Sequence, residues 1–164
     1  MSAPTDQETV LGKILFEKFV DLWNGEIDFA DTPDFIADEF IVHSAELARY
    51  LGFPDSNQIT TRDGLLDWVR AVRLLLHDVQ FTTDPGPLRD GDYVAGGYTV
   101  TGTYAGGAPT ATVEPGTPVR YTGMSIVRLE GDKLAEYWVL SDGLGLLCQL
   151  GAVPTPQALV PPGC

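Results

Sequence analysis

The chain has 164 residues, 44% of them hydrophobic and 10% aromatic, which suits one domain with its own core and excludes a disordered chain. Ten Lys and Arg stand against 23 Asp and Glu, a net charge of −13 that repels phosphate backbones and anionic headgroups. Neither nucleic acid nor a membrane is therefore an expected partner.

The acidic excess lies at the front, where residues 1–46 hold eleven acids against Lys13 and Lys18. These are expected to form a solvated coat on helix surfaces. The opening MSAPTDQE has neither a basic n-region nor an apolar run, and no stretch approaches the ~18 apolar residues that cross a bilayer. A cytoplasmic placement is expected. Two cysteines, Cys148 and Cys164, fit no metal spacing and read as one buried and one terminal thiol, so neither a disulfide nor a metal is expected.

In chain order, Thr5-x-x-Glu8 has the form of a capping box before a periodic segment in which Leu11, Ile14, Leu15, Leu22 and Trp23 share a helical face, with Phe19 beside them. Asn24-Gly25 stops that helix. Thr32-Pro33 predicts a short second helix to about Asp38, and Phe40–His43 a brief strand. Residues 44–60 form a long connection with apolar residues of its own (Leu47, Tyr50, Leu51, Phe53), as lids do. Thr61 caps a third helix whose buried stripe is Leu65, Val69, Val72 and Leu76, joined by Trp68, with His77-Asp78 closing its last turn.

From Val79 the period becomes 2. Strands are expected from Val79 to Thr83 and at about 92–105, 118–129 and 133–141, with a tight hairpin at Glu130–Lys133 and a loose loop over 106–117. Gly96-Gly97, Gly102 and Gly123 fall mid-strand, where curvature is the simplest explanation. Ser141 or Asp142 caps a last short helix that ends at Gly151, and the proline-rich tail is expected to lie extended. Three helices followed by antiparallel strands predict an α+β fold. The expected architecture is a cone-shaped barrel: three N-terminal helices packed on a curved, mainly antiparallel sheet, with a short C-terminal helix and an apolar pocket inside.

The segment Gly131-Asp132-Lys133-Leu134-Ala135-Glu136-Tyr137-Trp138, with Asp142, Gly145-Leu146-Leu147 and Gln149-Leu150-Gly151 after it, resembles the closing strand and helix of SnoaL-like proteins. These are the polyketide-cyclase-type branch of the nuclear transport factor 2-like superfamily. Arg89–Val94, Thr101–Tyr104, Gly116–Val119 and the helix over Leu65–His77 extend the resemblance to residues 8–153, leaving 1–7 as a flexible N-terminus and 154–164 as a tail. The superfamily holds cyclases, isomerases, dehydratases, epoxide hydrolases and non-catalytic binders, so the resemblance implies the fold more than the reaction. Its aldol cyclases place an acid Asp on the last strand and a His on the neighbouring one. Counted back from Gln149-Leu150-Gly151, those positions are Val139 and Ser125, which argues against that mechanism.

If Val139 faces the pocket, alternation sends Tyr137 and Ser141 there and turns Glu136, Trp138 and Leu140 outward. On the preceding strand Tyr121, Gly123, Ser125 and Val127 face in, and Arg120 and Arg128 face out. Trp138 and Leu140 then need a cover, and the resemblance implies a homodimer through that face.

Candidate catalytic residues are His43, as a proton shuttle or a plain strand-end histidine, and Tyr121 and Tyr137, as phenol donors or core. Asp142 is a candidate at the pocket rim or an N-cap. Trp23, Trp68, Tyr98, Ser125, Val139 and Ser141 are expected to line the pocket. The expected function is cofactor-free isomerase, dehydratase or cyclase chemistry on a small apolar or polycyclic, carbonyl-bearing molecule. The alternatives are a non-catalytic binder and a scaffold for a protein partner.

Overall fold

The structure, a computed structural model, describes residues 6–44, 51–53 and 55–154. Helix α1 spans Asp6–Asn24 and buries Gly12, Leu15, Phe16, Phe19, Leu22 and Trp23. That stripe is rotated from the expected one: Leu11 and Ile14 are exposed, with Val10. The reason is the close approach at Gly12, where a Cβ would overlap the Arg89 side chain and turns that face onto the sheet. Gly25 ends the helix with φ +80°. Thr5, the expected cap, lies outside the described residues, as do Leu47, Tyr50 and the tail from 155.

The expected second helix is a 3-10 turn, Phe29–Asp34, which starts earlier than expected. Asp28 rather than Thr32 caps it, accepting from the Ala30 N–H at 2.9 Å. Thr32 is instead fully buried and donates to the Phe29 carbonyl at 2.7 Å. The Arg70 guanidinium lies 4.5 Å from the centre of the Phe29 ring and fastens this turn to the next helix.

Strand β1 (Ile36–Ser44) is followed by a short 3-10 turn, Ser56–Gln58, and by helix α2 (Arg62–Leu75), which Thr61 caps by accepting from Gly64 N–H at 3.2 Å. Five strands follow: β2 (Leu76–Thr83), β3 (Leu88–Asp90), β4 (Tyr93–Tyr104), β5 (Pro118–Glu130) and β6 (Lys133–Ser141). Helix α3 (Gly143–Gln149) ends the described fold. The α2–β2 junction has no loop, so His77 is an exposed strand residue opposite Thr103 rather than the last turn of a helix. Buried Leu76 draws the chain into the sheet at once, and Asp78 takes φ 51° at the bulge that follows.

The sheet order is β1-β6-β5-β4-β2, with β3 also on β4. β1 is parallel to β6 and every other pair is antiparallel. The sheet does not close into a barrel: β1 and β2 are its edges, and the helices cover one face. The 106–117 loop is held rather than loose, since Thr112 N–H donates to the Leu150 carbonyl at 2.9 Å and Gly116 N–H to that of Tyr104 at 2.7 Å. Cys148 is half-buried, because its helix has one exposed side; Cys164 lies outside the described residues.

The interior divides in two. One cluster joins α1, α2 and β1 to the inner face through Phe16, Phe19, Phe40, Leu65 and Val127. The other joins α3, β2 and the 106–117 loop through Leu76, Val100, Tyr104, Val119 and Leu146. Phe53, Phe81 and Val139 touch both clusters. Each fully buried Phe or Leu contributes about 1.5–3 kcal/mol by leaving water, and the seam between the clusters is where packing is incomplete.

Candidate functional site

A cavity of about 70 Å³ lies on that seam. Its floor comes from the inner face of β5 and β6. In the register of these strands Gly123 faces Ser141, Ser125 faces Val139 and Val127 faces Tyr137. Opposed residues share a face, so the expected inward set stands together. Tyr121, Val139 and Ser141 line the cavity, with Trp68, Val72 and Leu75 of α2, Leu76, Leu146 of α3, and Ser44, Leu51, Phe53 and Ser56.

Glycine gives room on this face of the sheet. At Gly123 a Cβ would overlap the Tyr98 phenol, and at Gly96 it would come within 2.8 Å of the Phe16 ring. Tyr98, opposite Gly123 on β4, thereby passes its hydroxyl over β5 to bond Ser141 Oγ at 2.7 Å.

The polar groups here are hydroxyls. Ser44 and Ser56 share a short hydrogen bond, and the Ser44 N–H donates to Asn57 Oδ1 at 3.0 Å, pinning the 3-10 turn to the end of β1. Ser125 and Tyr137 bond each other at 3.2 Å beneath the floor, both buried. Tyr121 lines the cavity, and its phenol has no hydrogen-bond partner among the described residues. Burial, reinforced by nearby Tyr98, pushes the Tyr121 hydroxyl above its ordinary value. Burial does the same for Tyr98, partly offset by Ser141, and pushes Tyr137 up well beyond the usual range. At neutral pH all three are neutral donors and none is a base.

Other expected site residues lie elsewhere. Trp23 is core: it packs edge-on against Trp68 with ring centres 5.1 Å apart, and its indole N–H is buried without a partner. Asp142 is exposed and caps α3, accepting from the Gly145 N–H at 2.9 Å. His43 lies opposite Trp138 in the parallel β1–β6 register, which turns it away from the cavity and brings Ser44 in. On the outer face its Nε2 bonds Glu136 Oε2 at 2.9 Å and its ring stacks on Trp138 with centres 4.5 Å apart. Arg128 Nε donates to Glu136 Oε1 at 2.6 Å. The bonds from His43 first, then Arg128, hold the Glu136 carboxyl below its ordinary value.

Sequence reasoning missed Ser44, Ser56 and the apolar wall from Leu75, Leu76 and Leu146. Phe40, Ile41 and Val42 are all apolar, so no alternation marked which side of β1 faces in; only its pairing with β6 does.

The sequence profile of the SnoaL-like domain matches residues 16–137. No curated protein matches. Among solved structures, a candidate SnoaL-like polyketide cyclase from Jannaschia sp. CCS1 superposes with a TM-score of 0.73 at 15% identity, over 93% of this chain and 100% of that one. IdmH, a candidate polyketide cyclase from Streptomyces antibioticus, gives 0.70 at 23% identity over 84% and 96%. AclR, a candidate hydroxylase from Streptomyces galilaeus, gives 0.71 at 21% identity over 92% and 88%. At such identities the likeness speaks for the fold, and the names on this one fold span different reactions.

Proposed function

The chain belongs to the SnoaL-like domain family, and from that premise we propose that it is a pocket protein for a small, neutral, apolar molecule that carries a carbonyl group. One observation carries this reading: the described lining holds hydroxyls and apolar side chains but no charged one, and the Tyr121 phenol is a donor without an acceptor among the described residues. A carboxylate ligand would meet no counter-ion in that described lining, at a large desolvation cost, whereas a ketone needs one donor. Tyr121→Phe removes that donor. In an NMR titration with 2-butanone it should weaken binding about two- to tenfold, the worth of a neutral hydrogen bond. Equal affinity of the variant would remove Tyr121 from the reading.

Catalysis of the isomerase, dehydratase or cyclase type is the second reading, and the same phenol favours it as an oxyanion stabiliser. The described lining supplies no partner to take up a proton, since His43 and Asp142 lie away from it. Binding is accordingly the reading that the geometry supports better.

The partner proposed besides the ligand is a second copy of the chain, docked through the outer sheet face. Support comes from apolar side chains exposed there, Leu140 (64%), Met124 (50%) and Ile126 (41%), beside half-exposed Trp138.

A further inference from the structure

The inner cavity is small. An apolar cavity that admits benzene measures about 150 Å³, and this one is about 70 Å³. A ligand larger than a few heavy atoms needs more room than the seam offers.

That room exists on the other side of one side chain. A cleft of about 390 Å³ opens beside the N-terminal half of α2, lined by Asp55, Gln58, Ile59, Asp67 and Ala71. Trp68 lines this cleft and the inner cavity, and among the described residues no other side chain does. The 3-10 turn lies along the same boundary, with Ser56 on the cavity side and Gln58 on the cleft side. The Trp68 indole is half-buried and no hydrogen bond among the described residues holds it; it packs against the core cluster, edge-on to Trp23 at 5.1 Å and tilted to Tyr137 at 6.3 Å.

The chemistry of the two spaces differs. The cavity offers a donor, Tyr121. The cleft offers acceptors and no cation in its described lining: Asp55 uses Oδ1 on Asn57, and Asp67 uses Oδ1 on Arg70 at 2.6 Å, which leaves the second oxygen of each carboxylate without a partner among the described residues.

We propose that the cleft is the second half of the ligand site and that the Trp68 indole is the movable partition between the halves. The ligand is then elongated and neutral, with a carbonyl at the Tyr121 end and a hydroxyl or amide N–H donor at the cleft end. This rests on the pocket reading above. In the structure described, the partition is closed, so the free protein pays to open it before a long ligand binds.

The test uses 2-acetyl-6-hydroxynaphthalene, a neutral fluorescent ketone with a hydroxyl at its far end, titrated into the full chain. Trp68→Phe shrinks the partition and should tighten binding at least tenfold. Ala71→Trp fills the cleft from a residue that does not line the cavity and should weaken binding at least tenfold. Tyr121→Phe should weaken it two- to tenfold. Affinity that falls in Tyr121→Phe but not in Ala71→Trp confines the molecule to the cavity and overturns the proposal, leaving the pocket reading in place. Affinity that falls in Ala71→Trp but ignores Tyr121→Phe puts the molecule in the cleft alone and overturns the idea of one site. Absence of binding to both the native chain and Trp68→Phe overturns it as well, while the 2-butanone titration still decides the pocket reading separately.

Discussion

His43 shows what a single histidine in a short strand can and cannot reveal. Its place near the end of the first strand was legible from the Phe40–His43 run, but its side of the sheet was not, because three consecutive apolar residues precede it. Tertiary pairing decided it: parallel to β6, His43 joins Glu136, Arg128 and Trp138 on the outer face. The inward set on β5 and β6 was legible, since one anchored position fixes every other residue along a regular strand. The outer cluster has a measurable consequence. Glu136 has its carboxyl held below its ordinary value near 4.5 by His43 and Arg128. A folded-state value below the unfolded one contributes stability that is complete above the unfolded value and is lost as pH falls through the folded one. Glu136→Gln should therefore cost about 1 kcal/mol at pH 6, a figure that allows for solvent screening of half-exposed partners. The gap between the two proteins should close progressively as urea midpoints are followed from pH 5 to pH 3. A gap that stays constant over that range would remove Glu136 as its source.

At the scale of elements, the strands from β4 to α3 fall close to their expected bounds because alternation, the Gly131 turn (φ +64°) and the Asp142 cap are local signals. The front of the chain was less legible. Two overlapping apolar stripes fit α1, and the choice between them depends on the sheet residues it meets, Arg89 and Val94 at Gly12. One element contact was invisible in the sequence for the same reason. Asn24, which reads as a helix stop, clamps α1 to the edge strand β2: its Oδ1 accepts the Phe81 N–H at 2.6 Å and its Nδ2 donates to the Phe81 carbonyl at 3.1 Å. It stands in for a neighbouring strand on the free edge of β2, at a residue that stays in register with Val100 of β4. Asn24→Ala leaves both backbone groups half-buried without that partner and should cost about 1–3 kcal/mol in urea unfolding. Asn24→Asp keeps only the acceptor and should fall between the two. A neutral Asn24→Ala would mean that water replaces the clamp fully.

For the whole molecule, the question is what the outer sheet face meets. Met124 opposes Leu140 and Ile126 opposes Trp138 across β5 and β6, so the exposed apolar residues are contiguous rather than scattered. Trp138 already has partial cover from the His43 ring and from Tyr93, 6.0 Å away, and Leu140 has the least. Charge opposes self-association of a chain at −13, but eleven of its 23 acids lie in residues 1–46, outside the central strands β4, β5 and β6 of this face. The ion pair of Glu136 with Arg128 neutralises the charges nearest its centre. A two-fold dimer would bury the patch against its own copy, and any residue in it would then count twice. Leu140→Asp places one unpaired carboxylate per chain in that interface, at about 2–5 kcal/mol each, which raises the dimer dissociation constant by at least about 500-fold. Sedimentation velocity should find the native chain dimeric at micromolar concentration and Leu140→Asp monomeric. The unfolding midpoint should rise with protein concentration only in the native chain, because association stabilises by mass action. A native chain that sediments as a monomer, or a dimer that survives Leu140→Asp, would mean that this face is not the interface.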